Sequence, residues 1–176
     1  MNTRINPIKL SEAQGETKLM LNNIQAAFGT VPNIFRVLAN SETSLSALLG
    51  FNGTLSSGKL DRQIAERIAI LTAVENGCDY CHAAHSHIAK SVGVTEEEIK
   101  LSRTANSSDP KVEAALKFAR SIVVNKGKVS DEEFANLKNQ GFSDGEILEI
   151  VANVALNFYT NFINNITKPE IDFPKV

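Results

Sequence analysis

Apolar residues recur at helical spacing along most of the chain. Leu21, Ile24, Ala27 and Phe28, then Ile64, Ile68 and Leu71, then Ile147, Ile150, Val151 and Val154 each form one apolar stripe on a helix surface. Each stripe is a face that must be buried. Polar punctuation marks where helices start. Ser11-Glu12-Ala13-Gln14, Thr95-Glu96-Glu97-Glu98, Ser130-Asp131-Glu132-Glu133 and Ser143-Asp144-Gly145-Glu146 fit the capping box, in which a hydroxyl and a carboxylate or amide satisfy free backbone donors. Asp109-Pro110 adds a fifth start, an N-cap followed by proline at the first helical position. Strand signals are nearly absent. The pattern predicts helices over 11–28, 32–39, 42–56, 60–76, 79–92, 95–103, 110–125, 130–140 and 143–166. The breaks hold Gly29, Gly58, Gly77, Gly93, Gly127 and Gly141, several of them suited to helix C-caps. Such helices have only one another to pack on, so the fold class is all-α, a compact multi-helix bundle.

The tail Lys168-Pro169-Glu170-Ile171-Asp172-Phe173-Pro174 holds two prolines close together and is expected to lie extended along the surface. No low-complexity stretch or interdomain linker interrupts the chain, and its 176 residues fit a single domain, 1–176. One weak internal echo appears at an offset of 83 residues. Asp61, Ile64, Glu66 and Ala69 are matched by Asp144, Ile147, Glu149 and Ala152, and Cys78 and Cys81 then fall on Asn161 and Asn164. A degenerate repeat and a chance likeness between two amphipathic helices are both open readings.

Charge excludes some partners. Lys and Arg total 18 against 20 Asp and Glu and do not gather into a block, so neither nucleic acid nor anionic lipid is an expected partner. The first residues lack the apolar core of a signal peptide, and no stretch reaches the length of a membrane span. A cytoplasmic protein is the expectation. The only two cysteines lie three positions apart, whereas a secreted disulfide scaffold carries more of them along the chain.

Both cysteines and all three histidines fall within Cys78-Asp79-Tyr80-Cys81-His82-Ala83-Ala84-His85-Ser86-His87. Asn76-Gly77 looks like the end of one helix, which places Cys78 at or just before the first turn of the next. There, free N–H groups and the positive end of the helix dipole stabilise a thiolate. Cys78, Cys81 and His85 share one sector of the helix, so an imidazole can take the proton of Cys81 while Cys78 stands by as resolving partner. The dipole favours Cys78 as the reactive thiol and the histidine spacing favours Cys81; we take Cys81 as nucleophile. Glu66, on the preceding helix among apolar neighbours, needs a partner. A helical hairpin would let it orient His85, and a surface pairing with Lys or Arg is the alternative. Tyr80 is a candidate auxiliary residue, by packing or by hydrogen bonding. His82 and His87 lie off the reactive sector, and His82 is kept as a second auxiliary candidate.

These residues resemble a known family. Glu66, eleven residues, then Cys78-x-Tyr80-Cys81-x-x-x-His85 is similar to the signature of the alkylhydroperoxidase D-like members of the carboxymuconolactone decarboxylase superfamily, in particular its peroxidase-related branch. Asp61-Arg62-Gln63-Ile64-Ala65-Glu66 and Gly93-Val94-Thr95-Glu96-Glu97-Glu98-Ile99 extend the likeness over a motif core of about 60–100. The resemblance implies a helical homo-oligomer, a dimer, trimer or hexamer, that reduces hydroperoxides with its dithiol and needs no cofactor or metal. It also implies that Cys81 attacks the peroxide, Cys78 resolves the sulfenic acid, and His85 with Glu66 relays the proton. A dihydrolipoyl or thioredoxin-like protein would restore the thiols. Tyr80 departs from the pattern, because the best-studied peroxidase carries a histidine there, and tyrosine is a poor base near neutral pH. Three rival readings remain: zinc held by Cys78, Cys81 and His85 with Glu66 or His82, thiol–disulfide exchange without peroxide, and a lactone decarboxylase like the family's namesake, whose members generally lack the dithiol.

Overall fold

The computed structural model describes residues 3–174. Among them are nine α-helices and no strand: α1 (Gly15–Phe28), α2 (Asn33–Leu38), α3 (Glu42–Leu55), α4 (Arg62–Glu75), α5 (Asp79–Ser91), α6 (Glu96–Ser102), α7 (Pro110–Asn125), α8 (Asp131–Asn139) and α9 (Asp144–Thr167). Punctuation decides their ends. Ser130 and Ser143 form complete capping boxes with Glu133 and Glu146, and Asp109 caps α7 ahead of Pro110. Thr95 accepts the Glu98 N–H, but the Glu98 side chain turns away to a different partner. The expected start at Ser11 is not a helix start. Ala13 is buried in a turn closed on Lys9, and Gly15 has φ +55°, so regular helix begins four residues later than expected.

α4 is the centre of the bundle. Residues 67–73 are all buried, because α5, α7 and α9 pack around it and α6 covers one end. Fully burying Ile68 and Leu71 contributes roughly 1.5–3 kcal/mol each. One apolar cluster joins α4, α7, α8 and α9 through Ile68, Leu116, Leu137 and Ile150. A second, built on Leu21, Leu38, Leu45 and Leu156, extends over the start of α5 and takes in Cys78, Tyr80 and Cys81.

One charge sits inside this packing. Arg67, 5% exposed, pairs with Glu98 of α6, and its Nε donates to Ser102 Oγ at 2.8 Å. Burial pushes the Arg67 guanidinium below its ordinary value. Burial alone would raise Glu98, but hydrogen bonds from Ser108 and Ser107 and the Arg67 charge outweigh it and hold its carboxyl at about 2. Removing one partner strands the other, so Glu98→Gln is expected to destabilise the fold by about 3 kcal/mol, read by urea denaturation. The sign in acid follows from the depressed value. The contribution is complete above the ordinary 4.5 and is lost as pH falls toward 2. In Glu98→Gln the stability curve should be flatter across that window.

Two glycines hold positions where another residue would be crowded or strained. Gly58 lies against α9, where an added Cβ would meet Glu149 Oε2 at 2.5 Å. That same oxygen accepts the Lys59 and Leu60 N–H groups at 2.8 and 2.7 Å, fixing the approach to the Asp61 cap of α4. Gly77 is the other, at φ +61° in the turn that carries the chain from α4 into α5.

Candidate functional site

The α4–α5 turn places the dithiol. With Gly77 in the left-handed region, Gly77 N–H donates to Val74 O at 3.1 Å and Cys78 N–H to Ala73 O at 2.8 Å, the paired bonds of a Schellman motif. Cys78 is therefore fixed by the end of α4, and it is also the N-cap of α5, its sulfur accepting the Cys81 N–H at 3.3 Å. The two sulfurs are joined in a disulfide with Cα atoms 5.4 Å apart. Cys78 and Cys81 are 1% and 2% exposed.

Cys81 has a different outlook from Cys78. It lines a cavity of about 390 Å³, and Cys78 does not. One turn further along α5, His85 lines the same cavity, and its Nδ1 lies 2.8 Å from Glu66 Oε2 on α4. With Nδ1–H donated to the carboxylate, the free lone pair of a neutral imidazole is on Nε2. The side of α2 and α3 is mostly apolar, with Ile34, Phe35, Leu48 and Leu55 beside Asn52, while α9 supplies Asn153, Asn157, Thr160 and Asn164. Asn164 Nδ2 donates to Cys81 Sγ at 3.1 Å. Among the described residues, no group of three or more His, Cys, Asp and Glu is arranged to hold a metal ion. No described helix is long and apolar enough to cross a membrane.

Residues 44–121, which run from α3 into α7 and include the dithiol, Glu66 and His85, match the model of the carboxymuconolactone decarboxylase family. The fold is similar to that of an uncharacterized peroxidase-related protein with an alkylhydroperoxidase AhpD core from Ralstonia eutropha JMP134. The TM-score is 0.85 at 23% identity, covering 97% of this chain and 92% of that one. The chain has the alkylhydroperoxidase D-like fold. A peroxidase-related protein from Silicibacter sp. TM1040 is similar at TM-score 0.81 and 21% identity, over 94% of this chain and 91% of that one. So is the debrominase Bmp8, at TM-score 0.83 and 23% identity over 98% and 94%. A cysteine-to-alanine variant of Bmp8 has been solved in complex with 2,3,4-tribromopyrrole. No curated protein matches the sequence.

Within this fold, Glu66, Cys81 and His85 converge on one cavity and Cys78 stands behind Cys81. His82 does not join them. Its Nε2 is buried without a hydrogen-bond partner, and burial, then the positive Arg103, hold its pKa below 6.5. His87 is exposed beside Phe173. Tyr80 reaches the cavity wall, but its hydroxyl is committed elsewhere: it donates to Asp172 Oδ1 at 2.7 Å and accepts the Ile34 N–H at 3.2 Å. Burial first, and then the hydrogen bond to Asp172, push its pKa well above 10.

The tail is more than the extended surface segment its prolines suggested. Asp172 also accepts the Asn33 N–H at 2.8 Å, and Phe173 stacks edge-on against Tyr80 and completes the cavity wall. Tyr80→Phe should cost about 1–3 kcal/mol, since it leaves Asp172 short of a donor. Faster amide exchange confined to residues around 168–173 would be the accompanying sign, read by hydrogen exchange mass spectrometry.

Asn164, Asp172 and Phe173 were not among the residues predicted for the site. A signal for the first was present, because Asn153, Asn157, Asn161 and Asn164 fall at helical spacing along α9. The 83-residue echo also pairs Cys81 with Asn164, the two residues that meet.

Proposed function

We propose that the chain is a thiol-dependent peroxidase that reduces organic hydroperoxides through a Cys78/Cys81 dithiol–disulfide cycle. The observation that carries this reading is the position of Cys81, the cysteine that lines the cavity, one turn from a His85 oriented by Glu66. In the reduced protein His85 takes the Cys81 proton, and the thiolate attacks the terminal oxygen of the hydroperoxide. The O–O bond breaks, the protonated imidazole returns its proton to the departing alkoxide, and an alcohol leaves. Cys81 is then a sulfenic acid. Cys78 attacks its sulfur, the hydroxyl leaves as water with the Cys78 proton, and the disulfide closes. Two electrons have passed from the dithiol to the peroxide. A protein dithiol of the dihydrolipoyl or thioredoxin-like type restores the thiols, a cycle that calls for a reducing compartment, the cytoplasm.

A cavity of about 390 Å³ with an apolar wall from α2 and α3 has room for a substrate with an organic body, far larger than hydrogen peroxide. The same feature supports a second reading, reductive dehalogenation of an electron-rich ring, in which the dithiol supplies two electrons and halide and a proton leave. One experiment separates them. Stoichiometric reduced protein is mixed with cumene hydroperoxide or with a brominated pyrrole, and the alcohol or bromide released is quantified. One alcohol per dithiol supports the first reading, bromide alone supports the second, and neither product refutes both. Homo-oligomerisation belongs to the proposal. Its support is a stripe on one face of α9, where Leu148, Val151, Phe162 and Ile166 are exposed together.

A further inference from the structure

Of the groups lining the cavity, those that titrate or carry charge are Arg62 and Glu66 of α4 and Tyr80 and His85 of α5. Tyr80 is tied to Asp172 of the tail, and α2 and α3 present apolar side chains with Asn52. From α9 come only neutral groups, and one of them touches sulfur. Asn164 is 4% exposed, its Nδ2 donates to Cys81 Sγ at 3.1 Å, and its Oδ1 is buried with no hydrogen-bond partner.

A disulfide sulfur stands in that contact where a thiolate sulfur stands in the reduced protein. The difference matters for the bond. Neutral sulfur is a weak acceptor, whereas an anionic acceptor makes a shorter and roughly twice as strong charge-assisted hydrogen bond. A buried amide with one atom unsatisfied is a standing cost to the fold and calls for a reason. Its rigid placement on α9, aimed at the sulfur and shielded from water, is the arrangement that stabilises a charge when it develops.

We infer that Asn164 is the hydrogen-bond donor that stabilises the Cys81 thiolate, a role in the reactivity of the site beyond the His85–Glu66 pair. The inference rests on Cys81 being the reactive thiol of the proposed function, but it does not require peroxide as the oxidant. Asn164 sets how much thiolate is present, and His85 moves the proton.

The test uses the full chain carrying Cys78→Ser, so that Cys81 is the single thiol, and follows its alkylation by iodoacetamide from pH 5 to pH 10. Asn164→Leu removes the donor, and Asn164→Asp keeps the shape but presents a carboxylate. Asn164→Ser is a smaller change should either fail to fold, and thermal melting identifies which variants are folded. In the folded variants, alkylation at pH 7 should slow about tenfold with Leu and further with Asp, and the midpoint of the rate profile should move to higher pH. Profiles that superimpose on that of the parent in folded variants overturn the inference. Because alkylation needs neither peroxide nor reductant, a chain that ignores hydroperoxide yet shows the shifted profile refutes the peroxidase reading alone.

Discussion

Cys81→Ser is expected to reduce hydroperoxide consumption by on the order of 10³-fold or more, while Cys78→Ser keeps a single fast turnover and then stops. Serine retains the shape of the residue but is not ionised near neutral pH, so the attack on oxygen loses its nucleophile. Cys78 cannot substitute for it. Cys78 sits behind Cys81 at the cap of α5 and does not line the cavity. With Cys78 replaced, the first chemical step is intact but the sulfenic acid on Cys81 finds no resolving thiol, so consumption ends at one equivalent per chain. Stopped-flow kinetics with limiting and excess hydroperoxide distinguishes the two behaviours. The helix dipole, which favours Cys78 at the start of α5, gives the opposite assignment, and a single fast turnover kept by Cys81→Ser but lost in Cys78→Ser would support that alternative.

His85→Ala is expected to lower the rate of the same first step by about 10²- to 10⁴-fold, the range for removal of a positioned acid–base group. In the proposed cycle the imidazole has two tasks in sequence, taking the thiol proton and returning it to the alkoxide, and its orientation comes from the 2.8 Å bond between Nδ1 and Glu66. Glu66→Gln should cost less, because the amide oxygen can still accept Nδ1–H while the charge is gone. The order wild type, Glu66→Gln, His85→Ala in single-turnover rate, with the deficit of His85→Ala shrinking at high pH where the thiol ionises unaided, is the pattern to look for. A His85→Ala variant with an unchanged rate at neutral pH would remove the relay.

Much of this site was readable because it is local. Helical spacing alone puts Cys81 and His85 on one sector, and Asn76-Gly77 marks the turn that makes Cys78 an N-cap. The Glu66–His85 pairing needed only one hairpin beyond that. Longer reach was harder. Glu98 fits a capping box by its spacing from Thr95, yet its carboxylate is drawn to Arg67 across the α4–α6 packing, an attraction that no local pattern encodes. The buried arginine in an apolar helix was the available hint. Asn164 and Asp172 lie 83 and 92 residues from their partners Cys81 and Tyr80, and two prolines say only that the tail is not helical. Where such a tail docks depends on the shape of the packed bundle, which exists only after the helices have assembled.

The most direct test of the proposed chemistry is mass spectrometry of the fully reduced protein before and after one equivalent of organic hydroperoxide, with Cys78→Ser alongside. The wild type should lose two hydrogens, mapped to a Cys78–Cys81 bond, and the variant should gain one oxygen on Cys81. Both thiols still free with the hydroperoxide unconsumed, or the oxygen found on a residue other than Cys81, would contradict that chemistry.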